Sequence, residues 1–309
     1  MSKYIYLETN DGGFNDILCV INCIKIYCKN NGKILLLNTL NSCYKINFSD
    51  FCHIDCEYVI TDLDKIRNIL TSNDLSIYPN ILNINDIKNI LDNNFVYSLR
   101  NNEGFCFQYN DQYIPLKLPN FYTNENITIV ITDLGSLLGN DNFKHFDVRN
   151  NYGFELFKTL KFKPYLIEHV KNCYSKIEKP YNTLQIRNTD INCNYEDLYN
   201  ANKDYIHKYN NIYIATDDKS CLDFFRTKGL NVINFTTFPD TYENVSYGIS
   251  QCNLHYSKIN SKTKIMDLIT DIVLLSMSEQ IFSNSIGGFI SLVRKCHQSS
   301  SEIKNQFQL

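Results

Sequence analysis

One order of elements constrains the chain most. Tyr4–Leu7 is a short apolar run, Asp11-Gly12-Gly13 a turn, and from Phe14 the apolar residues fall at 14, 17, 18, 21, 24 and 28. That spacing predicts a helix. Gly32 marks its end, and Lys33–Leu37 reads as a strand buried on both faces. Two apolar strands joined through a helix form a βαβ unit, so a parallel sheet is implied.

The second half repeats the order. Pro164 suits the first turn of a helix running to about Ile177. Strands are predicted at 182–187 and 212–216, then a helix over 219–228 closed by Gly229 and a strand at 230–234. A helix from about Lys262 to Met277 carries apolar residues at 265, 266, 268, 269, 272, 273 and 275. A strand at Gln280–Phe282 leads through the turn SNSIGG into a last helix, 288–297. Between the halves, Ile127–Thr132 is a strand, 41–126 reads as mixed α/β with long loops, and the polar stretch 136–152 as a linker or domain edge. At 309 residues about two domains are expected, and we place them at 1–155 and 156–309.

Composition narrows the functional classes. Hydrophobic content of 44% supports a large core, while a net charge of −3 without a Lys/Arg block disfavours a nonspecific nucleic-acid binder. Twelve cysteines without a secretory signal at MSKYIYLETN suit a reducing, cytoplasmic setting. Cys19 and Cys23 fall i,i+4 on the buried face of the first helix, as small hydrophobes. Cys52-His53-x-x-Cys56 lacks a second ligand pair, so no zinc site is expected. No run approaches the roughly 20 apolar residues of a membrane span.

Five features lie at predicted strand exits, where open α/β sheets bind ligands, or in the helices that follow. In DGGFND, 11–16, two glycines allow positive φ and close backbone approach before a helix N-terminus; an ordinary turn is the alternative. In LQIRNTD, Arg187 suits bidentate phosphate binding, and with Asp190 it also suits a structural ion pair. In ATDD, Asp217 or Asp218 can cap the helix beginning near Lys219. Asp271 sits in the apolar stretch DLITDIVLLS, so it must face outward or meet a donor, and a guanine edge is one such donor pair. SNSIGG, 283–288, is a small-residue turn suited to phosphate. Hydrolase elbow, Walker loop and HExxH patterns are absent. Asp62-Leu63-Asp64 reads as a helix opening with a cap, so a metal-independent site without cofactor is expected.

Two doubly wound, Rossmann-like α/β domains facing a cleft make GT-B the analogous architecture. The segments together resemble the fucosyltransferase superfamily with an H-x-R-x-x-D-type motif, α-1,6-fucosyltransferases and nodulation enzymes in particular. The resemblance covers roughly 155–297 in order: LKFKPYLIEHVKNCYSKIEKPYNTLQIRNTD, IYIATDDKS and LHYSKINSKTKIMDLITDIVLLSMSEQIFSNS, with DGGFNDILCVINCIKIYCKNNGKILLL at the N-terminus. It implies that Arg187 contacts the β-phosphate of a GDP-sugar and stabilises charge on the leaving diphosphate. It further implies that Asp271 reads guanine, that Ser285 and the backbone at Gly287 hold the diphosphate, and that Gly12, Gly13 and Asn15 approach the diphosphate or sugar. Asp190, Asp218 and His255 match family positions, with loop support as their other role. Gln185 stands where the family has histidine. Glutamine still hydrogen-bonds there but carries no charge. Asp11 is the candidate general base, with Glu8 and Asp16 as rivals.

The resulting expectation is an inverting, metal-independent glycosyltransferase. It would pass fucose from GDP-fucose to a glycan or other hydroxyl acceptor bound mainly by residues 1–150. A UDP- or dTDP-deoxysugar donor is one alternative, an inactive nucleotide- or sugar-binding module of the same fold another.

Overall fold

The computed structural model describes residues 3–9, 12–40, 42, 44–72, 75–78, 100–101, 104–109, 112–115, 126–132, 137, 152–188, 193–209, 211–238 and 259–309. The chain forms two compact units, Met1–Lys161 and Phe162–Leu309.

The first unit starts with β1 (Lys3–Thr9), α1 (Phe14–Asn30) and β2 (Lys33–Asn38), the βαβ order that the apolar spacing implies. After α2 (Phe48–Phe51) and β3 (Cys52–Ile54) come β4 (Val59–Ile60), α3 (Leu63–Leu70) and β5 (Ile77–Tyr78). Strands β6 (Arg100–Asn101), β7 (Gly104–Tyr109) and β8 (Gln112–Pro115) make a small antiparallel sheet. β9 (Ile127–Thr132) and α4 (Tyr152–Phe157) follow, and β10 (Leu160–Phe162) carries the chain from one unit to the other.

The main sheet has the order β4-β2-β1-β9-β5, with every pair parallel. β1 lies in the middle, where Ile5, Tyr6 and Leu7 are fully buried, as a strand covered on both faces must be. Cys19, Cys23 and Cys28 of α1 face the core, and burial pushes the Cys19 thiol up to about 11 and those of Cys23 and Cys28 to about 12. These thiols pack as small hydrophobes. Asp62 caps α3, accepting from the Lys65 amide at 2.9 Å, so that acidic segment is a helix start.

The second unit holds α5 (Pro164–Ser175), β11 (Asn182–Ile186), α6 (Tyr195–Ile206), β12 (Asn211–Thr216), α7 (Lys219–Thr227) and β13 (Asn231–Ile233). It ends with α8 (Ser261–Ser276), β14 (Ile281–Ser283), α9 (Gly288–Gln298) and α10 (Ser300–Phe307). Helices α6 and α10 are additions to the elements read from the sequence. The sheet order is β13-β12-β11-β14, again all parallel. Every residue of β11 and β12 is buried, with α6 and α7 closing one core through Ile206, Cys221, Leu222 and Phe225. Gly229 has φ +78°, the left-handed turn that ends α7 and favours glycine. No helix among the described residues is long and apolar enough to cross a membrane.

Candidate anion site at the end of the second sheet

Because the four strands are parallel, the ends of β11, β12 and β14 share one edge, the edge at which open α/β sheets take ligands. β11 delivers Arg187 there, immediately after the buried Ile186. The Arg187 amide donates to Asn284 Oδ1 at 3.1 Å, and Asn284 Nδ2 donates back to the Arg187 carbonyl at 2.9 Å. One side chain from the β14 exit therefore grips both backbone groups of the arginine.

The guanidinium lies over the start of α9. A Cβ placed on Gly287 would stand 3.1 Å from Arg187 Nη1 and 3.5 Å from Ser285 Oγ. Gly287 is the N-cap of α9, extended at φ −71° and ψ 179°, and no side chain caps the helix. Glycine serves here by leaving room. The turn before it is self-braced: Ser283 Oγ accepts from the Ser285 amide at 3.0 Å, and Ser285 Oγ from the Gly287 amide at 3.2 Å. Ser283 also donates to Gln185 Oε1 at 2.5 Å, so Gln185, 7% exposed, is tied to the neighbouring strand. Arg187, Ser285, Gly287 and Gln185 thus come together. A fixed guanidinium beside a helix N-terminus combines a bidentate donor, free first-turn N–H groups and the positive end of a helix dipole, all suited to a phosphate.

The ATDD segment plays a different part. Asp218 caps α7, with Oδ1 accepting from the Ser220 amide at 2.9 Å and the Ser220 hydroxyl at 2.7 Å. Its Oδ2 takes Asn188 Nδ2 at 2.7 Å and the Tyr195 hydroxyl. Burial alone would raise this carboxyl, but the bonds from Tyr195, Ser220 and Asn188 hold it below the usual range. Asp217 accepts from the Asn188 amide at 2.7 Å. With four donors on it, Asp218 braces the loop that carries Arg187. The other role weighed for it, loop support, is the one its geometry favours. Asn188, Tyr195 and Asn284 are site residues that the sequence did not single out; asparagine is too common in this chain to draw notice.

Asp271 does meet a donor, and it is Tyr213. The fully buried phenol donates to Asp271 Oδ1, and the Thr236 side chain bonds the same carboxylate. Burial pushes Asp271 up to about 7 against the pull of these bonds. One turn earlier, Asp267 accepts from the Thr237 amide at 2.7 Å, and burial raises it too. The pair clasps the segment after β13 to α8, and Asp271 keeps a partial opening to solvent.

In the first unit Gly13 caps α1 with φ −61° and ψ 158°, also without a side-chain cap. The positive φ considered for this turn is therefore absent at Gly13. A Cβ at Gly12 would meet Asp16 Cβ at 3.5 Å, ordinary contact, so space at Gly12 is not what this chain itself demands. Asn15 is turned to a neighbour: any side chain at Gly153, in the first turn of α4, would collide with its amide oxygen. Glu8, at the end of β1, is 1% exposed and accepts from the Tyr6 hydroxyl at 2.9 Å, which itself accepts from Asn38 Nδ2 at 3.0 Å. Asp11, Asp190 and His255 lie outside the described residues. Among the described residues no group of three or more His, Cys, Asp or Glu side chains is gathered as metal ligands would be.

Parallel sheets in both units make this an α/β protein, and its fold is similar to that of solved GT-B fucosyltransferases. The named likenesses are to NodZ α-1,6-fucosyltransferase co-crystallised with GDP, at 13% identity and TM-score 0.56 over 95% of this chain and 92% of that one. Fucosyltransferase NodZ from Bradyrhizobium aligns at 14% identity and TM-score 0.54, over 95% and 93% of the two chains. POFUT1 in complex with GDP gives 10% identity and TM-score 0.53 over 99% and 96%. No protein-family model matches the sequence, and the comparison with curated proteins finds no match. At these identities the likeness is one of fold.

Proposed function

We propose that the protein is an inverting glycosyltransferase that moves fucose from GDP-fucose to a hydroxyl of a glycan or other acceptor, without a metal ion. The observation that carries this reading is the Arg187 guanidinium held against Gly287 and Ser285 at the uncapped start of α9. The fold supports it, since solved structures of this fold include NodZ soaked with GDP-fucose and POFUT1 in complex with GDP-fucose.

In this reaction the acceptor oxygen attacks the anomeric carbon from the face opposite the diphosphate. The new C–O bond forms as the bond to the β-phosphate oxygen breaks, and the electron pair leaves with GDP. Arg187 and the first N–H groups of α9 meet the charge developing on that oxygen, with Ser285 beside them. Asp271 accepts from the N1–H and 2-amino groups of guanine. His255 and the turn at Gly12, Gly13 and Asn15 complete the donor contacts, and Asp11 takes the acceptor proton. The acceptor binds mainly through residues 1–150. The described cysteines are free thiols, which supports a reducing, cytoplasmic setting.

Thermal-shift measurements with GDP, UDP, dTDP and ADP test the donor. GDP at a hundredfold excess over Kd should stabilise the protein by about 2.7 kcal/mol, the others by much less. Stabilisation by UDP or dTDP without GDP would overturn the guanine assignment. Arg187→Ala should lower turnover of GDP-fucose by about 10²–10³-fold, the usual effect of removing one preorganised donor. Unchanged turnover removes Arg187 from the chemistry.

A further inference from the structure

Asn284 is the residue through which the two halves of the anion site know of each other. Arg187 comes from the exit of β11, and the serine turn comes from the exit of β14, 97 residues later. Asn284 sits inside that turn, between Ser283, which reaches Gln185, and Ser285, which accepts from Gly287. Its amide satisfies the Arg187 N–H and C=O together, at 3.1 Å and 2.9 Å, as an adjacent strand would. It also bonds the Cys193 thiol beside it.

The residue after β11 is fixed on both its polar backbone atoms, so the guanidinium starts from a defined anchor, and its Nη1 stands 3.1 Å from the Cβ position of Gly287. An arginine on a freely moving loop loses backbone and side-chain entropy each time it binds a phosphate. An anchored one does not lose the backbone part. We infer that Asn284 is a positioning residue for phosphate recognition: it does not itself meet the ligand, and it acts through Arg187. This rests on the reading of the site as one for a nucleoside diphosphate.

The test is a double-mutant cycle on the full chain, read by calorimetric titration with GDP and with guanosine, which lacks the phosphates. Asn284→Ala should weaken GDP by about tenfold or more, as the loss of two hydrogen bonds would. Guanosine affinity should stay within about twofold, since the base contact is untouched. On an Arg187→Ala background, Asn284→Ala should change GDP affinity by no more than about twofold. Asn284→Ser, which leaves a small polar group in the half-buried turn, should repeat the pattern if the alanine variant does not fold. Equal losses for GDP and guanosine, or losses that add to that of Arg187→Ala, overturn the positioning role while leaving the donor reading intact. Failure of the unsubstituted protein to bind GDP overturns both.

Discussion

Gln185 stands where the resemblance would set a histidine, and its carbonyl is already taken by Ser283. An imidazole there would titrate near neutral pH, whereas the amide leaves the charge beside Arg187 unchanged. Burial raises two carboxyls of this unit, Asp271 and Asp267, and Asp271 carries the pH dependence that can be followed most directly. The folded-state value of Asp271, about 7, lies above the ordinary aspartate value of 3.8, so the folded protein holds more protons than the unfolded chain between those limits. Stability therefore falls as pH rises from about 4 to 7, by at most about 1.4 kcal/mol per pH unit. Asp271→Asn should flatten that slope, because the amide oxygen still accepts from Tyr213 and nothing ionises. Urea midpoints at pH 5 and pH 8 check it; an unaltered difference between the two would place the titration elsewhere. If Asp271 reads guanine, the same variant should also lose GDP affinity at pH 8.

At the scale of elements, two glycines separate packing from recognition. Gly153→Ala forces a methyl into the Asn15 amide at the α1–α4 contact and should destabilise the fold by about 1–3 kcal/mol in urea, with a smaller loss of GDP affinity, through Asn15, than Gly287→Ala causes. Gly287→Ala puts a carbon 3.1 Å from the Arg187 guanidinium and should weaken GDP by about tenfold without moving the unfolding midpoint. Interchanged effects would mean that Asn15, rather than Gly287, borders the phosphate. The elements legible in the sequence are those whose own residues decide them: α1, α8 and β12 carry long apolar runs, Pro164 marks the start of α5 and Gly229 the end of α7. Helix α6 escaped because Ile206 is its one buried residue, so its polar face hides the period. β4 and β5 have two residues each and exist by pairing with β2 and β9, which a local pattern cannot report. In the site, Arg187 and the serine turn were legible by residue type. The Asn284 grip was not, since its meaning lies in a partner 97 positions away.

For the whole molecule, two units of similar size each carry a parallel sheet with a helix N-terminus near a strand exit, and among the described residues it is the second unit in which an arginine stands over that terminus. Hydrogen exchange with GDP present should accordingly slow most at 184–188 and 283–292. Protection confined to residues 1–161 would move the nucleotide to the first unit. The stretch 41–126, opaque to periodicity, includes strands of two to six residues, in which length and composition leave helix and strand undecided. The position of β14 beside β11 has a further consequence for the order in which the protein is made. Thr183 must wait for Ile281, and Arg187 for Asn284, before either finds its neighbour. On the ribosome, the strand bearing the arginine emerges about a hundred residues ahead of the turn that completes its surroundings, and such distant pairings form late. A ligand at this edge would therefore meet its site only in the finished chain. Binding there would stabilise the assembled protein without hastening the steps that build the site.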